Sequence, residues 1–463
     1  MKVSNLALPL IMLSAALSFA QADQIDDYVR AEMKQRHIPA VSIAIIEKGK
    51  PPRFAGYGMA NEEANLHTTP QTVYQLASVT KQFTATAIML LADEGKLTLE
   101  DKVRKHLPNL PEAWDAVTVK QLLNHSSGIK SYTSLGNMTQ DNRRDVPPSE
   151  IIDRVKALPL EFEPGARFSY NNTGYHLLGM LIEKISGKTY GEFLNERIFA
   201  RLGMSSTRVN DSQAVIPQRA SGYMWRDGKL QNCFFISPTV PYSAGAIIST
   251  VEDMAKWDAA LRDGSILKKE TLESMWQPTR LSSGKIEEYG YGWSTGKSGV
   301  GRVVGHGGGI LGFSTQIDRY VDAGLTVVVL CNLESGNAGS IAAGIAKIVD
   351  PRLTPKVEPA LADQEPKVTE LLRKVITGIM AGNADQSDFT PQARAAFFPN
   401  AAKAAREDLN GMGPLKSLVL VEKMKLGADQ RYRYRTVFGS TGMKIIVVIT
   451  PEGKIVGLGA QPE

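Results

Sequence analysis

The chain has 463 residues, 43% hydrophobic and 22% charged, with a formal net charge of +5. This composition excludes a disordered, collagenous or disulfide-dense chain and leaves room for two or three globular domains. The mild basicity comes without a basic cluster, so no nucleic-acid partner is expected.

At the N-terminus Lys2 is followed by an apolar run from Leu6 to Phe19 and then Ala20-Gln21-Ala22. A short positive start, an apolar core and an A-x-A site predict a secretory signal peptide over residues 1–22. The run is shorter than a membrane span, and no other segment is long enough to be one. The expectation is a soluble exported protein, periplasmic or secreted, with no membrane span after signal removal. Export permits a disulfide, and Cys233 and Cys331 leave a bridge and two free thiols equally open.

Ile25 to Lys34 reads as an amphipathic helix, Val41 to Ile46 as a strand, and Arg53 to Met59 as a second strand returning after Gly49-Lys50-Pro51-Pro52. Val79 to Glu94 lacks Gly and Pro, carries Phe83, Ala87, Leu90 and Leu91 at helical spacing, and is followed by Gly95 as a stop signal. Ser78 thus falls at a helix N-terminus, with Lys81 one turn on along the same face. A hydroxyl, an amine and a positive helix end suit a serine nucleophile. They equally suit an N-cap beside a solvated lysine. Ser-x-x-Lys recurs four more times, starting at Ser127, Ser265, Ser282 and Ser294, so the spelling alone does not decide.

From about residue 96 to 240 the pattern changes to short helices separated by turns. Thr118 to Asn124, Ser149 to Ala157 (capped by Ser149), Thr173 to Ile185 and Tyr190 to Arg201 all read as helical. Thr250-x-x-Asp253 opens a further helix through Leu261 with a capping-box-like start. Strands follow at Gly290 to Ser294, Arg302 to His306, Phe313 to Arg319 and Leu325 to Cys331, then a helix from Ser340 to Val349. The early and late strands are expected to share one sheet, with the helical region as an insertion.

Pro351, Pro355, Pro359 and Pro366 mark a linker over 351–366, and residues 367–463 read as a small α+β domain. There Val368 to Met380 and two shorter stretches are helical. Strands are predicted at Leu418–Lys425, Arg431–Phe438, Met443–Ile449 and near Ile455–Leu458. Arg431-Tyr432-Arg433-Tyr434-Arg435 alternates at period two, giving one aromatic and one basic face.

Two further signals complement Ser78. Tyr170-x-Asn172 occurs once, and His306-Gly307-Gly308 closes a strand. A serine hydroxyl needs a base, which a desolvated Lys or a Tyr held as phenolate supplies. A tetrahedral oxyanion needs two donors, for which the N–H groups of Ser78 and Gly309 are candidates. Rival spellings fail on context. His306-Gly307-Gly308-Gly309 lacks the Gly-x-Ser-x-Gly elbow of lipases, and Gly307-x-Gly309-x-x-Gly312 precedes a strand where a dinucleotide fingerprint needs a helix. The six histidines show no metal-ligand spacing. His125 is expected to hold a loop by hydrogen bonds.

Ser78-x-x-Lys81, Tyr170-x-Asn172 and His306-x-Gly308, in that order, resemble the three motifs of the penicillin-recognising serine hydrolases. These are the class C β-lactamase and D-alanyl-D-alanine carboxypeptidase family. Leu122 through Gly128, Glu163-Pro164-Gly165 and Gly245 through Met254 support the resemblance, which covers roughly residues 24–350. It implies an α/β fold with an antiparallel sheet flanked by helices, a domain over 23–350, and no cofactor. It implies catalysis by Ser78, Lys81 and Tyr170, with substrate bound by Asn172, His306, Gly308 and Gly309. His306 would reach a substrate carboxylate or Tyr170. The implied substrates are small peptides, esters or β-lactams, with peptidoglycan as a partner. The implied activities are those of a D-alanyl-D-alanine carboxypeptidase or D-amino-acid peptidase, an esterase or weak β-lactamase, or a non-catalytic penicillin binder. Relatives that are β-lactamases carry Lys-Thr-Gly where this chain has His306-Gly307-Gly308, which weakens the attraction for a β-lactam carboxylate.

Overall fold

The computed structural model describes residues 24–135, 142–354, 360–363, 365–439 and 441–462. The signal peptide expected over residues 1–22 and residues 355–359 and 364 of the expected linker lie outside the described residues. Contacts divide the chain into two compact units, with the boundary between residues 355 and 356.

The first unit is built on a seven-stranded antiparallel sheet. Helix α1 (24–36) precedes β1 (Ala40–Glu47), β2 (Arg53–Asn61) and β3 (Leu66–His67). The late strands are β4 (Ser294–Ser298), β5 (Gly301–Ile310), β6 (Phe313–Tyr320) and β7 (Leu325–Cys331), in the order β4-β5-β6-β7-β1-β2-β3. Early and late strands thus join at β1 and β7, where Val41 faces Cys331 and Glu47 faces Leu325.

β1 and β7 are buried on both faces, which accounts for their unbroken apolar spelling. Alternate residues enter different cores. Ala44, Ile46, Val328 and Leu330 pack under helices α2 (Thr80–Asp93), α3 (Asn172–Ser186) and α4 (Val251–Asp263). Val41, Ile43, Ile45, Val327 and Val329 pack against α1 and α6 (Ala338–Val349) on the other side. Each large apolar side chain so buried contributes about 1.5–3 kcal/mol.

α2 is the central helix. Every residue from Thr80 to Leu91 is buried, polar ones included. Gln82 accepts from Trp257 Nε1 at 3.1 Å, and the Thr84 hydroxyl donates to Ser243 O at 2.7 Å. Gly95, at φ +72°, follows its end as predicted.

Four local expectations are corrected. Ser149 is not a cap: the helix starts at Pro148, whose fixed φ and missing N–H suit a first turn, and runs only to Asp153. Thr250 caps α4 by accepting from Asp253 N–H, but the Asp253 carboxylate turns to Ser206 N–H and the Thr207 hydroxyl, so the box is half made. Gly290 to Trp293 is a bend, and the strand starts only at Ser294. A Cβ at Gly290 would lie 2.0 Å from Met275 O, at the end of α5 (Lys269–Met275), so the chain stays tight there. The insertion also holds a hairpin, Tyr223–Arg226 with Lys229–Asn232, that the helical reading missed. Cys233 and Cys331 are unbridged.

The second unit packs α7 (Pro366–Ala381), α8 (Pro391–Phe397) and α9 (Asn400–Met412) with an antiparallel sheet of β8 (Leu415–Leu426), β9 (Asp429–Phe438), β10 (Thr441–Ile449) and β11 (Ile455–Pro462). Its core includes Tyr432 and Tyr434, while Arg431 and Arg433 on the opposite face pair with Glu422.

Candidate active site

Ser78 sits in a 3-10 turn, Ala77–Val79, that runs directly into α2. Val79 N–H donates to Leu76 O, so Ser78 N–H lies ahead of the first intrahelical bond, among the orphan donors of a helix start. Ala77 has φ +49°, a left-handed backbone that costs a residue with a Cβ about 1–3 kcal/mol. The turn is anchored on both sides. Leu76 N–H donates to Ile247 O at 2.8 Å, and Leu76 O accepts from Thr315 Oγ1 at 2.8 Å.

Lys81, one turn on, is 0% exposed. Its Nζ lies 3.2 Å from Ser78 Oγ, 2.8 Å from Asn172 Oδ1 and 2.9 Å from Ala244 O. Among the described residues no carboxylate contacts it. Burial therefore holds the amine well below its usual value. A neutral amine has two N–H groups and one lone pair. Two pure acceptors, Asn172 Oδ1 and Ala244 O, use the N–H groups. The lone pair is left for the Ser78 hydroxyl.

Asn172 is the first residue of α3, which Asn171 caps by accepting from Gly174 N–H at 2.7 Å. The Asn172 amide is oriented from both ends, with Oδ1 on Lys81 and Nδ2 donating to Thr133 Oγ1 at 3.2 Å. The Tyr170 ring lies tilted against His125, at 4.3 Å between centroids and 44° between planes, and its centroid is 4.8 Å from Lys81 Nζ. The residue is 40% exposed overall, yet burial of its hydroxyl raises the phenol well above its usual value, with a hydrogen bond to Ser78 drawing it down by less. Tyr170 therefore stays protonated at neutral pH. The phenolate alternative does not hold, and Lys81 is the group with an available lone pair.

β5 supplies the opposite wall. Val321 N–H donates to Arg302 O, so even-numbered residues of β5 bond to β6 and odd-numbered ones face away. β4 pairs with β5 only as far as Gly305. The backbone of Gly309 thus points to an unpaired edge, although β5 is not the outermost strand. A Cβ at Gly308 would lie 2.3 Å from Leu76 O, so this position needs glycine for the close approach of the Ser78 turn. A Cβ at Gly309 would meet nothing within 4 Å.

His306 Nδ1 is 2.6 Å from Gly307 O, and since a carbonyl only accepts, Nδ1 carries the ring proton. Nε2 then accepts from the Tyr289 hydroxyl at 2.9 Å. Burial pushes His306 down to about 3, so the ring is neutral. Both nitrogens are engaged. The His306 ring centroid lies 6.1 Å from that of Tyr170. His125 does hold a loop: its Nδ1 accepts from Asn171 N–H at 3.0 Å and its carbonyl from Ser169 N–H.

Between these walls lies a cavity of about 200 Å³. Ser78, Asn172 and Gly309 line it together with Thr133, Ile236 and Leu311. A sequence model described as Beta-lactamase matches residues 25–349. The chain belongs to the beta-lactamase family. Penicillin-binding protein 4* of Bacillus subtilis (strain 168) is 34% identical over 295 residues, 60% of this chain and 64% of its own length. The chain thus spans less than two thirds of that relative. Among solved structures, the octameric penicillin-binding protein homologue from Pyrococcus abyssi is 26% identical, covers 96% of this chain and 98% of its own, and has a TM-score of 0.64. The D-amino acid amidase from Ochrobactrum anthropi SV3, complexed with L-phenylalanine amide, is 29% identical over 73% of this chain and 97% of its own, at 0.62.

The unit that carries Ser78 is a serine-hydrolase unit of the beta-lactamase family. Its fold brings Ser78, Asn172 and Gly309 to one cleft, with Lys81 buried against Ser78 and Asn172, Tyr170 against Lys81, and His306 and Gly308 on the strand that carries Gly309. Three contributors escaped the sequence reading. Ala244 acts through a backbone carbonyl, which no side chain announces. Thr133 orients Asn172 across the fold. Tyr289 lies just before Gly290, where the sequence predicts the start of a strand.

Proposed function

We propose that the protein is an exported serine hydrolase that forms an acyl-enzyme on Ser78 and cleaves amide bonds beside D-configured residues, as in a D-alanyl-D-alanine carboxypeptidase or a D-amino-acid peptidase. The observation that carries this reading is the Lys81 amine, fully buried, unpaired with any carboxylate among the described residues and 3.2 Å from Ser78 Oγ. In acylation the Ser78 proton passes to Lys81 Nζ while Oγ bonds to the substrate carbonyl carbon. The carbonyl electron pair moves onto oxygen, where the N–H groups of Ser78 and Gly309 receive it. Collapse breaks the bond to the leaving nitrogen, which takes the proton through the protonated Tyr170. Water, deprotonated by the same amine, then releases the acid and restores Ser78. The amidase and penicillin-binding relatives support the substrate class. The Lys2, Leu6–Phe19 and Ala20-Gln21-Ala22 pattern supports export.

A second reading is a carboxylic-ester hydrolase, favoured by the neutral His306 where a cation would hold a substrate carboxylate. Labelling with a fluorescent penicillin, with Ser78→Ala as control, tests the acyl-enzyme. Wild type should label and the variant should not. Failure of wild type both to label and to hydrolyse a p-nitrophenyl ester sinks the proposal and leaves a non-catalytic binder. Turnover of D-alanyl dipeptides and D-amino-acid amides against an ester panel then separates the two readings.

A further inference from the structure

A second cavity, of about 340 Å³, opens between α4, α5 and the turn joining β6 to β7, and shares no lining residue with the Ser78 cleft. Beneath it Asp258 is fully buried on α4. Its carboxylate accepts from Arg262 Nε at 2.5 Å, Arg319 Nε at 2.7 Å and Thr326 Oγ1 at 2.7 Å. Two guanidinium groups therefore share one carboxylate. Arg262 places its other nitrogens on Gly324 O, Ile46 O and Thr326 Oγ1. Arg319 does not. It is 5% exposed, its Nε is held by Asp258, and its Nη1 is buried with no acceptor among the described residues.

The Trp276 ring lies 4.9 Å from the Arg319 guanidinium, and Trp276 Nε1 is also buried without an acceptor. Both orphan polar atoms of the cavity wall are thus donors. Buried donors without partners are rare and costly, and the group they lack is an acceptor. The charges around the cavity agree. Lys48 and Lys269 stand at its rim. On the acidic side, Glu273 is held by Arg302 at 2.6 Å, and Asp263 accepts from Ser265 N–H at 2.8 Å. The remaining wall is apolar, with Leu261, Leu272, Val321 and Leu325.

We propose that this cavity is a binding site for a small organic anion, whose carboxylate meets Arg319 beside Trp276 and whose apolar part lies against the leucines. A guanidinium whose Nη1 lacks an acceptor among the described residues offers a carboxylate a charge-assisted hydrogen bond. Lys48 and Lys269 draw the anion to the mouth. The site is independent of the reading of Ser78.

The test is calorimetric titration of the full-length protein with succinate, acetate and inorganic phosphate, each against chloride at constant ionic strength. The emission of Trp276, identified by a Trp276→Phe control, is followed in parallel. Saturable binding of succinate is expected. Arg319→Gln should weaken it by about tenfold or more. Lys48→Ala with Lys269→Ala should weaken it by several-fold and leave penicillin labelling unchanged, and this surface variant decides the matter if Arg319→Gln does not fold. No saturable binding of either carboxylate overturns the proposal. So does binding of phosphate alone, or equal affinity in wild type and both variants.

Discussion

The first unit buries cations in two places and treats them oppositely. Lys81 is surrounded by carbonyl oxygens of Asn172 and Ala244, with no carboxylate among its contacts. Arg319 has the carboxylate of Asp258 at 2.7 Å. Neutral dipoles solvate a charge less well than water does, so the lysine gives up its proton readily. A full negative charge repays burial, and a guanidinium does not deprotonate in any case. The same event, taking a cation out of water, makes a base in one site and a strut in the other. The neighbour and the side chain both set the outcome.

The sharpest way to break the comparison is to make the first site resemble the second. Lys81→Arg keeps a long basic side chain but cannot offer a lone pair. It should lower kcat/KM by about 10²–10⁴-fold, as loss of a general base does, and so should Lys81→Ala. Steady-state hydrolysis, with circular dichroism to verify folding, checks this. Near-wild-type turnover in either variant would remove Lys81 from its role. Asp258→Asn makes the second site resemble the first. It strands two guanidinium groups and should cost about 3–5 kcal/mol in urea unfolding.

Acid should separate the sites by another route. His306 and His176 are pushed down to about 3, and His125 well below its usual value, each chiefly by burial. The unfolded chain takes up protons below about pH 6.5 that the folded chain refuses, so stability falls as pH drops from there towards 3. Asp318, pushed up to about 6 by burial, works in the opposite sense between roughly pH 6 and 4 and offsets one of the three. Each remaining proton contributes about 1.4 kcal/mol per pH unit. Urea midpoints measured from pH 7 to 4 should fall, and His176→Leu should flatten the decline. Activity should fall on the acid side as well, because protonating Lys81 removes its lone pair. The smallest effect expected is that of Tyr289→Phe. It removes one hydrogen bond to His306 Nε2, worth about 1 kcal/mol, and should lower kcat/KM by several-fold.

Much of this architecture was legible from local pattern. The Leu325–Cys331 strand is spelled by its two-sided burial, and the Ser78 helix by its uninterrupted run and terminal glycine. Other features left no local trace. Lys81 meets Ala244 across 163 positions and Arg319 meets Asp258 across 61, and neither spacing has a period to detect. The tautomer of His306 depends on Gly307 O and on Tyr289, neither of which the residue type announces. Ser149 followed a capping preference that Pro148 overrode, because a proline favours the first helical position itself.

The overhang of β5 past β4 has a consequence for how selective the cleft is. Beyond Gly305 the odd-numbered residues are Gly307 and Gly309, and the Gly307 carbonyl is already taken by His306. An open strand edge normally invites another chain to pair along its length. This one presents a single residue. It works as a ruler rather than a template, with room to register one backbone unit of a guest and none to zip up a second strand.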